Sequence, residues 1–154
     1  MNDVKPIPDT YPRVTPHLSI AGVADALEFY RSVLGANVRN RMDAPGGLVA
    51  HAEIELGGSV IMLGDEALPG GDPSPKALGG TPVSLFVYVE DVDTVFQRAV
   101  EACSQAVSEP EVHFYGDRVA TIDDPFGHRW NLATHVEDVA PDELERRTAA
   151  AMAS

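Results

Sequence analysis

Cysteine is almost absent from this 154-residue chain: Cys103 stands alone, so no intrachain disulfide can form and no thiolate cluster can hold a metal. Its position on an apolar helical spacing predicts a core-filling side chain. Positive charge is scarce as well. Eleven Lys and Arg face 24 Asp and Glu, a net charge of −13, which argues against nucleic acid and against anionic lipid as partners. Solubility is the plain use of that charge. No run of about 18 apolar residues could span a bilayer, and no basic segment leads into an apolar one as in a secretory signal. The expectation is a cytoplasmic protein without a membrane partner. What the chain does have, 44% hydrophobic residues over 154, suffices for one domain with a real core.

The first 13 residues carry three prolines and read as an extended N-terminal arm (1–13). From Val14 to Ile20 the chain alternates, with Val14, Pro16, Leu18 and Ile20 on one side and Thr15, His17 and Ser19 on the other, which predicts a half-buried strand. Gly22 to Leu34 changes to helical spacing, with Val23, Leu27, Tyr30 and Leu34 on one stripe and Gly35 where a helix C-cap glycine belongs. Two strands follow near Val49–Leu56 and Ser59–Leu63, joined at Gly57-Gly58. Residues 67–82 are rich in Gly and Pro, which predicts a connector and a candidate mobile flap.

The same order then recurs. Val83, Leu85, Val87 and Val89 alternate with Ser84, Phe86 and Tyr88. Asp91 is placed to cap a helix with Val92, Phe96, Ala99 and Cys103 on its stripe, and strands are expected near Arg118–Ile122 and His128–His135. The offset between copies is 69 residues (14 to 83, 23 to 92, 58 to 127, 63 to 132), read as in phase without a gap. The units are therefore set at 14–66 and 83–138, with a C-terminal helix and tail at 139–154 opened by Pro141. The fold class is α+β: two tandem strand–helix–hairpin units forming a cupped mixed sheet around a cleft, helices outside. The faces away from the helices carry Thr15, His17, Ser19, Ser84, Phe86 and Tyr88, a polar and aromatic mixture suited to a small molecule. A sheet with one wetted face is the plainer alternative.

Several segments are recognisable at this point. Thr15-Pro16-His17-Leu18, His51-Ala52-Glu53-Ile54, Val89-Glu90-Asp91-Val92-Asp93, Asp124-Pro125-Phe126-Gly127-His128-Arg129-Trp130 and Leu132-Ala133-Thr134-His135-Val136-Glu137-Asp138 resemble the vicinal oxygen chelate superfamily. That group includes glyoxalase I, bleomycin-resistance proteins, fosfomycin-resistance transferases and extradiol dioxygenases, and the likeness is greatest to its PhnB-like branch. The resemblance implies paired βαβββ units, a homodimer and a ligand cavity in the curved sheet.

In metal-dependent members, the first and last strands of each unit supply the ligands. The resemblance places those positions at Thr15, Met62, Ser84 and Asn131. None is a His or a carboxylate, and two hydroxyls, a thioether and an amide are poor compensation for dehydrating a divalent ion. No cofactor is therefore expected. A displaced divalent site drawn from His17, His51, Glu53 and His135 is the alternative. His17 reads as a polar cavity residue, a ligand or a structural group, and His51 and Glu53 as either a surface ladder or a cavity pair. Arg118 is placed either to clamp an anionic ligand or to pair with Asp117 or another acid, and Trp130 is expected in the core.

Two functions follow. One is a bleomycin-resistance-like protein that binds a small aromatic or cationic molecule without metal through Thr15, Ser19, Met62, Ser84, Phe86, Tyr88, Arg118 and Asn131. The other is an enzyme of lyase, isomerase or dioxygenase type, with His17 and Glu53 as an acid–base pair or with the displaced metal. A subunit whose cup serves association is the third reading.

Overall fold

A computed structural model describes residues 3–154. It divides into two compact units that meet in sequence at Gly79 and Gly80, inside the expected connector.

In the first unit the chain runs β1 (His17–Ile20), α1 (Val23–Leu34), β2 (Asn37–Asp43), a single 3-10 turn at Pro45–Gly47, β3 (Val49–Leu56), β4 (Ser59–Asp65) and a short α2 (Pro75–Leu78). The sheet order is β1-β4-β3-β2, with β1 parallel to β4 and the other pairs antiparallel. Leu18, Ile20, Ala52, Ile54, Ile61 and Leu63 are buried on one face, with Val23, Leu27, Tyr30 and Val33 of α1. Alternation therefore sends His17, Ser19, His51, Glu53, Met62 and Gly64 to the opposite, free face. The predicted strand starts three residues late. Pro16 lacks an N–H, although its carbonyl still accepts from Met62 N at 2.9 Å, and Val14 is exposed.

The second unit repeats this as β5 (Ser84–Tyr88), α3 (Val92–Glu101), β6 (Gln105–Val112), β7 (Asp117–Asp123) and β8 (Arg129–His135), followed by α4 (Pro141–Met152), in sheet order β5-β8-β7-β6. Trp130, Leu132, Ala120 and Ile122 are buried beside Val92 and Ala99 of α3, so Trp130 is core as expected. Asp91 caps α3, its carboxylate accepting from Thr94 N at 3.2 Å and Thr94 Oγ1 at 2.7 Å. Asp124 organises the turn before β8. Its carboxylate accepts from Phe126 N (2.9 Å), His128 N (3.0 Å) and Trp130 Nε1 (2.9 Å), while Gly127 takes a φ of 90°. This is what the Asp-Pro-x-Gly sequence is for.

Four expectations change. Strands β2 and β6, implied by the βαβββ resemblance, could not be located from the residues, because both are exposed edge strands without alternating apolar residues. The repeats are not in phase throughout. Tyr30 O accepts from Ala36 N and Ala99 O from Ser104 N: the acceptors lie 69 apart and the donors 68. The missing residue returns at the hairpin, where four residues separate the pair Glu55–Val60 and five separate Asp123–Arg129. Cys103 is not core. It is exposed, with a φ of 72° that matches Gly35 at 71°, and it ends α3 in the left-handed conformation. Finally, the first half of the connector is fastened rather than a free flap. Glu66 Oε2 accepts from Ser74 N at 2.6 Å, and Ser19 Oγ donates to the Asp72 carbonyl.

Candidate functional site

Helices α1 and α3 each begin under a side chain from the last strand of their own sheet. In the first unit Asp65 does this work: Oδ1 accepts from Gly22 N (2.9 Å) and Val23 N (3.2 Å), and Oδ2 from Val49 N (2.7 Å). Its equivalent in the second unit, 69 residues on, is Thr134, whose Oγ1 accepts from Val92 N at 2.9 Å and donates to the Val89 carbonyl at 2.9 Å. Both sheets are thus anchored to their helices; on the opposite faces Glu53, Val119 and Ala133 are buried while Phe86 and Tyr88 stay half exposed or more.

On the free face of the second unit, Ser84, Phe86 and Tyr88 stand beside Asn131 and Thr121. Asn131 Nδ2 donates to Ser84 Oγ (3.1 Å), and Thr121 Oγ1 donates to Asn131 Oδ1 (2.8 Å), a neutral chain across three strands. The Phe86 and Tyr88 rings lie 5.3 Å apart, tilted by 59°, and are 50% and 62% exposed. Tyr88 is fixed by its hydroxyl, which donates to Asp117 Oδ2 at 2.9 Å; that bond to a carboxylate raises the phenol pKa. Buried Asp117 also meets His135 Nδ1 at 2.7 Å, while His135 Nε2 meets Asp138 Oδ1 at 2.8 Å. Ionised carboxylates only accept, so both ring nitrogens donate. The hydrogen bonds to Asp117 and then Asp138 raise the imidazole pKa and favour the doubly protonated ring. Arg118 does not join this face. It lies on the helix side, in a two-pronged pair with Asp93 at 2.7 Å and 2.7 Å. Arg129 is exposed and paired with Asp123 at 2.8 Å.

The corresponding face of the first unit carries a buried carboxylate at its centre. His51 and Glu53 share it with Met62 and His17, which settles the facing that alternation alone left open. The His17 and His51 rings stack at 6.4 Å. Glu53 is 2% exposed, and its carboxylate is fully engaged: Tyr11 OH at 2.6 Å, His51 Nε2 at 3.0 Å and Arg39 Nε at 3.2 Å. Burial pushes this carboxyl up, but the Tyr11 and His51 hydrogen bonds and the Arg39 charge outweigh it, so its pKa falls below the ordinary value. An ionised, triply partnered carboxylate is a holding group, poorly placed to act as the free base expected of it. Thr15 precedes β1 and donates to the Pro12 carbonyl at 3.3 Å. Next to His17 lies a cavity of about 210 Å³, bounded by Ser19, Gly64, Asp65 and the 68–72 loop. Gly64 keeps it open, since an added Cβ would sit 3.3 Å from His17 Cε1.

A divalent ion does not fit the positions that the family's metal-dependent members use. Ser84 and Asn131 satisfy each other, and the Thr15 hydroxyl and Met62 thioether supply no charge. Among the described residues no group of three His, Cys, Asp or Glu is arranged to hold one either, and His135 is claimed by its two aspartates.

Tyr11, Arg39 and Thr121 complete these faces without having been picked out in the sequence, and Asp117, named there only as a partner for Arg118, serves Tyr88 and His135 instead. Tyr11 sits in a proline-rich arm and Arg39 in an edge strand with no pattern, so neither carried a signal.

The glyoxalase/bleomycin resistance protein/dioxygenase superfamily model matches residues 15–132. An uncharacterized protein of Mycobacterium tuberculosis (strain ATCC 25618 / H37Rv) is 38% identical over 137 residues, covering 87% of this chain and 81% of its own length. The crystal structure of a glyoxalase/bleomycin resistance protein/dioxygenase from Nocardioides aligns with a TM-score of 0.55 at 25% identity, over 88% of this chain and 91% of that one. A PhnB protein from Bacillus cereus shares the fold, with a TM-score of 0.64 at 20% identity over 80% of this chain and 99% of that one. No helix is long and apolar enough to cross a membrane among the described residues.

Proposed function

The chain belongs to the glyoxalase/bleomycin resistance protein/dioxygenase superfamily, and we propose that it binds a small, flat organic molecule, without a metal, against the free face of its second sheet. One observation carries this reading: two large aromatic side chains, Phe86 and Tyr88, are half exposed or more next to a neutral hydrogen-bonding chain of Ser84, Asn131 and Thr121. Exposed aromatic pairs fixed in orientation are costly to solvate and ready to stack. Because Asp117 holds the Tyr88 hydroxyl, the platform is ordered before a ligand arrives, which lowers the entropy cost of binding. The net charge of −13 favours a cationic ring over an anionic one.

Titration with N-methylquinolinium, a flat bicyclic cation, tests the reading. Phe86→Ala should weaken binding about tenfold, from the loss of one stacking partner and its buried area. Ser19→Ala, in the other unit, should leave affinity unchanged. Equal affinities for the two variants would remove the aromatic platform from consideration. A stoichiometric divalent ion in protein purified without chelator would overturn the metal-free part.

A further inference from the structure

The N-terminal arm offers a phenol to the first sheet much as a ligand would be offered. The Tyr11 hydroxyl donates to Glu53 Oε1 at 2.6 Å, and the Arg39 guanidinium lies over the ring, 4.9 Å from its centroid. Arg39 also reaches Glu53 Oε2 at 3.2 Å and the Thr10 carbonyl at 3.2 Å, while His51 Nε2 closes the other side of the carboxylate at 3.0 Å. One aromatic hydroxyl is therefore met by a buried acceptor below, a cation across its face and an imidazole beside the acceptor. That is a full set of contacts for recognising a phenol.

The recognising groups and the recognised group differ in how they are held. Glu53 and His51 belong to the antiparallel ladder of β2 and β3, and Arg39 sits in β2 at the register shift between Val38 and Asn40. Tyr11 belongs to an arm whose residues 3–10 are exposed, and among the described residues no backbone–backbone hydrogen bond joins residues 3–15 to the sheet. The arm runs through bends and a turn at Asp9 and Thr10 in place of the expected extended run, Pro6, Pro8 and Pro12 supply no backbone donor, and its bonds to the sheet run from the Tyr11 hydroxyl and the Thr10 carbonyl. Glu53 gains a hydroxyl donor in the closed arrangement and loses it when the arm leaves, and a buried acceptor stripped of a donor is costly. A molecule with the same chemistry can take the place of the arm.

We propose that this face is a recognition site for a neutral phenolic ligand and that Tyr11 occupies it as an internal competitor. The ligand donates its hydroxyl to Glu53 and lays its ring beneath Arg39. A carboxylate or phenolate is rejected, because either would set a second negative charge against Glu53. The site lies wholly in the first unit, so it stands or falls apart from the Phe86 platform.

The test is a titration of p-cresol, with toluene as the partner lacking the hydroxyl, followed by the amide shifts of Arg39, His51 and Glu53. Each protein carries Phe86→Ala to silence the second unit. With Tyr11→Ala, p-cresol should bind about tenfold tighter than without it, and about tenfold tighter than toluene, the usual size of a hydrogen bond to a charged acceptor. Adding Glu53→Gln to Tyr11→Ala should reduce the preference for p-cresol over toluene severalfold, since the neutral amide oxygen accepts more weakly than the carboxylate. The proposal is overturned if Tyr11→Ala binds no p-cresol, if it binds toluene equally well, or if p-cresol binds as tightly with Tyr11 in place. Should Tyr11→Ala fail to fold, Tyr11→Phe keeps the ring and loses only the hydroxyl. The arm of that variant should then yield to p-cresol more readily than the arm with Tyr11 does, and equal affinities would again overturn the idea.

Discussion

The two units share a topology and differ in what they place on it. Both have the strand order first-fourth-third-second, and their registers correspond, with His17 opposite Met62 and Phe86 opposite Asn131. Yet the same sites hold unlike chemistry. Where the first sheet has His17, Met62 and an ionised Glu53, the second has Phe86, Asn131 and Thr121. A backbone ladder tolerates such divergence because side chains take no part in it, whereas most helix-facing residues, the anchors Asp65 and Thr134 and the paired Arg118 apart, stay apolar in both copies. The helix-anchoring position diverged as well, from a carboxylate with three donors (Asp65) to a hydroxyl with one (Thr134). Duplication kept the geometry and released the chemistry.

The anchors offer the strongest way to break that comparison. Asp65→Ala strands three buried or half-buried N–H groups and should cost about 3 kcal/mol in urea unfolding, against about 1 kcal/mol for Thr134→Ala. Equal costs would mean that the two positions are not doing the unequal work described. Next in size is Glu53. Its folded pKa lies below the unfolded value of about 4.3, so its stabilisation is present above that pH and is lost as the pH falls through the folded pKa. Glu53→Gln should therefore cost about 2 kcal/mol at pH 7, with the gap from the parent protein closing on acidification. A gap that is constant with pH would show that the charge is not responsible.

Cys103 sharpens the comparison in the opposite direction. Its φ of 72° is one that Gly35 adopts at the equivalent helix end without strain. Cys103→Gly should stabilise the protein by about 0.5–1 kcal/mol, seen as a rise in Tm, since a left-handed residue with a Cβ costs more than the added glycine entropy. Smallest is Ser104, whose Oγ is buried with no hydrogen-bond partner among the described residues, where the first unit has Ala36. Ser104→Ala should be neutral or stabilising by a few tenths of a kcal/mol, and a loss of about 1 kcal/mol would reveal a partner that the hydroxyl needs.

Much of this molecule could be read before its structure was known. Helix α1 with Gly35 at its end, the Asp91 cap and the buried Trp130 follow from residue types at short spacing, and local spacing records those. Strands β2 and β6 left no trace because an exposed edge needs no apolar period, and Cys103 misled because its helical spacing continues one step past the helix. The one-residue slip between the copies escaped for a related reason. Its two ends, at the helix terminus and at the hairpin, cancel and restore the 69-residue offset.

The amino-acid sequence by itself determined the two helix–sheet units and their apolar faces, because a repeat of 2 or 3.6 residues decides which side chains leave water. Tertiary structure alone decided that Arg118 turns to Asp93, that Glu53 is closed in by Tyr11, His51 and Arg39, and that Asp117 joins Tyr88 to His135. Most of those pairings join residues far apart in the chain, and polar side chains on a free face choose partners by which strands and arms the fold brings beside them. No local pattern encodes that choice.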